Sequence, residues 1–250
     1  LMADMYVTSK NYQAALDALM EVQQPNAKVL ETRQYLRYQL AVDAFVQDKM
    51  GDVKKWSGEV IAHEVGTSAY KSEAYYLSAQ AEYRMRQYDA CMAQLNLYEQ
   101  QGNIAQSNNQ VAALYLKAYA AFNLKDFATA ESLYRRYAQQ VTPCESTYAD
   151  AHNRIGDCLF QARRFQEAID TYQQVVKCQK IGVDYALLQQ GFALGLLHRY
   201  PEKTEVLRSL TKEYPQSDYV DDALYEIARA ELQQNRPQEA ISVYQALLQD

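Results

Sequence analysis

A chain of 250 residues carrying a formal net charge of −6 lacks the clustered Lys and Arg that phosphate neutralisation needs, so nucleic acid is excluded as a partner. Eight glycines and five prolines are few for this length and strand-like alternation is absent, which favours helix. No apolar run approaches the roughly 20 residues that span a bilayer, so direct membrane insertion is not expected.

Along the chain a tiny residue recurs, at Ala3, Ala44, Ala79, Ala118, Gly156, Gly191 and Ala228, with separations of 41, 35, 39, 38, 35 and 37 residues. Twelve positions after each stand Ala15, Trp56, Cys91, Ala130, Ala168, Lys203 and Ala240. A bulky residue usually precedes these by three (Tyr12, Val53, Tyr88, Phe127, Phe165, Tyr200, with Pro237 in the last unit), and an apolar one follows by four (Leu19, Val60, Leu95, Tyr134, Tyr172, Leu207, Tyr244). Three further on come Val22, His63, Tyr98, Tyr137, Val175, Leu210 and Leu247, completing an i, i+4, i+7 stripe on a second helix. Two antiparallel helices approach closely only where one presents almost no side chain, so the tiny residue marks a hairpin contact. In chain order the pattern predicts hairpins at about 1–24, 28–65, 70–100, 109–141, 147–178, 183–214 and 218–250. Pro25, Gly102 with Asn103, and Pro143 mark longer turns between them, and Ser107-Asn108-Asn109 opens the fourth as a cap.

The bulky-small-aromatic-Ala-aromatic order resembles the tetratricopeptide repeat, best in the fifth unit (Ile155, Gly156, Phe165, Ala168, Tyr172) and the last (Leu224, Ile227, Ala228, Ala240, Tyr244). Departures are the polar Asp43, Ser78, Lys117 and Gln190 before the small residue, and Trp56, Cys91 and Lys203 in place of the usual Ala. The resemblance implies an all-α fold: a right-handed α-α superhelix of about seven hairpins forming one solenoid over 1–250. It reads as a fragment of a longer protein, since neither end offers a capping element. The run Tyr214-Pro215-Gln216-Ser217-Asp218-Tyr219 is similar to the inter-repeat turn of bacterial cell-envelope members, which implies a periplasmic or envelope location.

Chemistry is not legible. His63, His152 and His198 fall in three different hairpins, no metal-ligand spacing exists, and neither a phosphate-cradling loop nor a nucleophile elbow is present, so no catalytic, cofactor or metal residue is assigned. Asp218, Asp221, Asp222 and Glu226 are expected to offset a helix dipole. Cys91 and Cys158 read as core thiols. Cys144 and Cys178 lie in or near turns on one edge of the stack, and the sequence leaves open whether they pair, as export would permit, or stay free thiols.

In the family, residues three before and one after the small position of the first helix face a concave groove. Carried over, these are Ala41 and Phe45, Tyr76 and Gln80, Tyr115 and Tyr119, Asn153 and Asp157, Leu188 and Phe192, and Tyr225 and Arg229, with Phe122 continuing the Tyr115, Tyr119 face. The Lys and Asn set with which family members clamp a C-terminal carboxylate is missing. The expectation is a non-enzymatic scaffold that holds a peptide or partner protein against these rings. A spacer or self-assembly module, and a glycan binder that stacks sugars on rings, are the alternatives.

Overall fold

The computed structural model describes residues 10–63, 70–101 and 109–248. Among the described residues there are thirteen α-helices and no strand. In chain order they are α1 (Tyr12–Met20), α2 (Ala27–Val46), α3 (Met50–Ala62), α4 (Tyr70–Arg84), α5 (Tyr88–Glu99), α6 (Gln110–Asn123), α7 (Phe127–Ala138), α8 (Ser146–Gln161), α9 (Phe165–Cys178), α10 (Val183–Leu196), α11 (Tyr200–Glu213), α12 (Val220–Gln233) and α13 (Pro237–Leu247). The chain divides into two compact units, 1–124 and 125–250. Within each, every helix packs on the next, and alternate helices also touch: α2 with α4 and α4 with α6 in the first unit, α8 with α10 and α10 with α12 in the second. This is the expected all-α stack of helical hairpins. Ala3, the break at Gly102 and Asn103, and Ser107 with Asn108 lie outside the described residues.

Helix starts are set locally. Asn26 and Asp126 accept hydrogen bonds from the amides of Val29 and Thr129, capping α2 and α7. The turn between the helices of a hairpin repeats one geometry. Lys10, Asp48, Arg86, Lys125, Arg163, His198 and Asn235 all take φ between 57° and 62°. After Asp48, Arg86, Arg163, His198 and Asn235, the next amide donates to the carbonyl five residues back at 2.9 Å, as Arg164 does to Leu159. These are Schellman closures, made here without glycine.

That turn corrects the register of the second hairpin. In every other unit the left-handed residue lies seven positions after the small one, and counting back seven from Asp48 gives Ala41, not Ala44. Ala41 is fully buried, and the spacings around it become 38 and 38 in place of 41 and 35. Twelve on stands Val53, followed by Ser57 and Val60, all fully buried. Trp56 therefore replaces no Ala. It is half-buried one turn along and packs toward both the α1–α2 core and the α2–α4 core. His63 follows the last residue of α3 and is exposed, and Val22 lies beyond α1 and is exposed too, so neither completes a stripe.

Elsewhere the small positions do what the pattern requires. Ala79, Ala118 and Ala228 are fully buried. A Cβ on Gly156 would fall inside the Tyr172 ring, and one on Gly191 inside the Leu207 side chain. Tyr172 cannot step aside, because it is fully buried and its hydroxyl is bonded to Asp157.

Gly156→Ala is expected to lower unfolding free energy by about 1–3 kcal/mol through overpacking. Gly58→Ala on α3, where an added Cβ meets nothing within 4 Å, should instead raise it by up to about 1 kcal/mol. Urea denaturation followed by circular dichroism measures both. Arg86→Gly and Arg163→Gly, each relieving an exposed side chain held at positive φ, should add about 0.5–1 kcal/mol in the same assay.

Candidate functional site

The first helix of each hairpin carries the candidate residues: α2, α4 and α6 in the first unit, α8, α10 and α12 in the second. With Ala41 as the small residue, the positions three before it become Tyr38, Tyr76 and Tyr115 in the first unit, and those four after it become Phe45, Tyr83 and Phe122. Phe45 thus belongs with Tyr83 and Phe122 rather than with Gln80 and Tyr119, and Tyr38 takes the place given to Ala41. The three-residue slip hides Tyr38, and the uneven spacings of 41 and 35 are the signal that exposes it; Tyr83 lies four after Ala79, a position outside the three-before and one-after rule.

In the first unit four of these rings touch other tyrosines. Tyr38 lies 5.3 Å from Tyr70, and Tyr76 lies 5.8 Å from Tyr98, ring centre to ring centre. Tyr76 is buried, and Gln80 donates to its hydroxyl at 3.3 Å; burial pushes that phenol up to about 12. Tyr115 and Tyr119 meet edge to face at 5.0 Å, Tyr119 meets Tyr83 at 6.5 Å, and Asn123 donates to the Tyr83 hydroxyl. Phe45 is half-buried under the Arg84 guanidinium, which is 4.1 Å from its ring centre and paired with Asp48 at 3.0 Å. Asn109 precedes α6 and donates its amide to Glu73.

In the second unit Phe192 and Arg229 line one concavity and Asn153 another, while Leu188 is buried and Tyr225 lines neither. One, of about 330 Å³, is lined by Phe192 and Arg229 together with Phe160, Leu196, Tyr200 and Lys203. Lys203 sits at the position usually held by Ala and is buried. Its stem runs past Gly195, and its ammonium pairs with Glu226 on α12, which also accepts from Arg229 at 2.7 Å. Glu226 therefore lies in mid-helix and buried, which corrects the expectation that it offsets a dipole at a helix start. Burial raises its pKa, but the bonds from Lys203 and Arg229 outweigh burial and hold the carboxyl below the usual range. Tyr225 is 48% exposed, with Tyr244 at 6.1 Å and the Arg229 guanidinium 5.8 Å from its ring.

The second concavity, of about 400 Å³, is lined by Asn153, Asp150, Arg154, Asp184, Tyr185 and Asp218 among others. Behind it Asp157 is buried and accepts from the hydroxyls of Tyr172 at 2.8 Å and Tyr185 at 2.9 Å and from Arg154 at 2.5 Å. Burial raises its pKa more than Arg154 and the two hydroxyls lower it. Both tyrosines are pushed up in turn by burial beside that carboxylate. Among the described residues no group of His, Cys, Asp and Glu could hold a metal ion. No described helix is long and apolar enough to cross a membrane.

Cys144 and Cys178 are joined by a disulfide, with Cα atoms 5.2 Å apart and a sequence separation of 34. It ties the turn before α8 to the end of α9, closing the open end of that hairpin. Cys91 and Cys158 are buried core thiols, as expected, each pushed up to about 12 by burial.

Hairpins stacked on their neighbours, with rings along the first helices, define a helical-repeat protein. The family model described as Tetratricopeptide repeat matches residues 146–180 and 205–250, so those segments carry tetratricopeptide repeats. Its fold is also similar to that of the apo form of RapI (TM-score 0.68, 10% identity, covering 98% of this chain and 73% of that one). MamA 41-end from Desulfovibrio magneticus RS-1 is similar too (0.59, 14%, 74% and 96%), as is the kinesin light chain with nearly identical TPR-like repeats from Podosopora anserina (0.56, 13%, 71% and 92%). At these identities the likeness is one of fold. No curated protein sequence matches the chain.

Closing a 34-residue loop in the unfolded chain is entropically worth about 4 kcal/mol, less any native strain. The Cys144→Ala, Cys178→Ala variant, or the wild-type chain in dithiothreitol, should therefore lose about 2–4 kcal/mol, read as a lower urea midpoint.

Proposed function

We propose that this protein is a non-enzymatic scaffold that holds an extended peptide or a partner protein against the ring-bearing faces of its first helices. Phe45, Gln80, Tyr115, Tyr119 and Phe122 form that face in the first unit, over the buried Tyr76. Phe192, Tyr225 and Arg229 form it in the second, while Asn153 lines the separate concavity in front of the buried Asp157. One observation carries the reading: Phe192 and Arg229, chosen from sequence alone, line one concavity together with Phe160, Leu196 and Tyr200. Rings give rigid contact area at low entropic cost, and an arginine over such a floor is the composition of an interaction hot spot. The Cys144–Cys178 bond supports an oxidising compartment, in keeping with the envelope location implied by the Tyr214–Tyr219 turn.

Peptides selected from a random display library on the immobilised chain are expected to bind the Phe192→Ala, Arg229→Ala variant at least tenfold more weakly, with its helical circular dichroism unchanged. A helical variant that keeps full affinity removes the second-unit face. A library that yields no binder removes the scaffold reading.

A further inference from the structure

The concavity around Asn153 has a polarity that the ring-lined face lacks. Three carboxylates line it: Asp150 from α8, Asp184 from α10, and Asp218 from the turn before α12. One guanidinium lines it as well, that of Arg154, and its charge is directed elsewhere. Arg154 binds Asp157 at 2.5 Å, lies 3.7 Å from Asp150 and rests 5.1 Å from the centre of the Tyr185 ring. Asp184 accepts from the Ser217 hydroxyl at 2.6 Å and from the Tyr185 amide at 2.9 Å, which leaves lone pairs on both oxygens. The concavity is therefore negative by two charges, counting its three carboxylates and one guanidinium, and an anion is repelled from it.

An independent observation comes from Asn153. It is 4% exposed and lines the same space, and its amide nitrogen donates to the Gly182 carbonyl at 3.1 Å. Its carbonyl oxygen is buried with no hydrogen-bond partner. A buried acceptor left unmatched is costly, and an N–H or O–H donor entering the concavity would match it. The half-buried Tyr185 and Tyr219 rings, 5.8 Å apart and edge to face, form the aromatic wall of the space. A planar cation with several N–H donors satisfies all three features at once: carboxylates to pair with, a carbonyl to donate to, and a ring to lie against.

We propose that this concavity is a binding site for the guanidinium of an arginine side chain in an extended peptide, paired with Asp184 and Asp218, donating to Asn153 Oδ1 and seated against Tyr219. Arg154 already shows the mode from the other side, held between a carboxylate and the Tyr185 ring. The inference deepens the scaffold reading by giving the second unit a specificity element distinct from the Phe192 and Arg229 concavity.

The test uses the whole oxidised chain, isotopically labelled, titrated with acetyl-Ala-Ala-Arg-Ala-Ala-amide, its citrulline counterpart and agmatine, and read at the Asn153 side-chain amide and by calorimetry. The arginine peptide is expected to shift that amide saturably, to bind at least tenfold more tightly than the citrulline peptide, and to weaken at least fivefold between 50 and 300 mM salt. Asp218→Asn, at an exposed residue of the rim, should weaken it about tenfold while leaving the unliganded spectrum and the urea midpoint in place. Equal affinity for the arginine and citrulline peptides, or binding that leaves the Asn153 amide unmoved, overturns the proposal. Agmatine binding without peptide binding overturns the peptide as its source and leaves a site for a free amine. If display selection returns peptides that need Phe192 but carry no arginine, this inference falls and the scaffold reading stands; if agmatine and the arginine peptide bind but no library peptide does, the reverse holds.

Discussion

Everything in this fold depends on how closely the two helices of a hairpin can approach. The distance is set at one position per repeat, where the first helix offers Ala or Gly to a large side chain of the second. Gly156 under Tyr172 and Gly191 under Leu207 show the extreme case, with no room even for a methyl group. Because the left-handed turn follows that position at a fixed interval, contact and turn are one device, repeated within each unit. The buried apolar stripe then faces the neighbouring hairpin, so the core is built as a series and not as a single centre.

The same constraint explains what the sequence revealed and what it concealed. Small residues and stripes at helical spacing identified the fold class, since both follow directly from close packing. Register in the second hairpin was ambiguous because Ala41 and Ala44 lie one turn apart on the same face, and both are buried. Composition could not choose between them. The turn could, because Asp48 at positive φ lies seven residues after Ala41, yet nothing in an aspartate announces that conformation. In six of the seven such turns a residue other than Asn stands where glycine is common, which removed the clearest sequence marker of a helix end.

Polar burial was the other hidden layer. Lys203 departs from the usual Ala at its position, and it reaches Glu226 across the stem-sized gap left by Gly195. Asp157 read as a groove residue, yet it is the shared acceptor of two tyrosines and Arg154. The Arg154–Asp157 pair is local, at i, i+3, but Asp157 meets its two tyrosines across 15 and 28 positions and Lys203 meets Glu226 across 23, so no local pattern encodes those contacts. Asn153, Phe192, Tyr225 and Arg229 were chosen by a positional rule alone, and the surroundings that give them chemical character came only with the tertiary arrangement.

The covalent link between Cys144 and Cys178 has a mechanical side. A chain of stacked hairpins held at both ends and put under tension yields one hairpin at a time, each paying out its full contour. The segment within the link, spanning a sequence separation of 34, cannot do so while it is intact, which withholds roughly 110 Å of extension at about 3.3–3.6 Å per residue. The redox state of one sulfur pair thereby sets how far this protein can be drawn out before it fails.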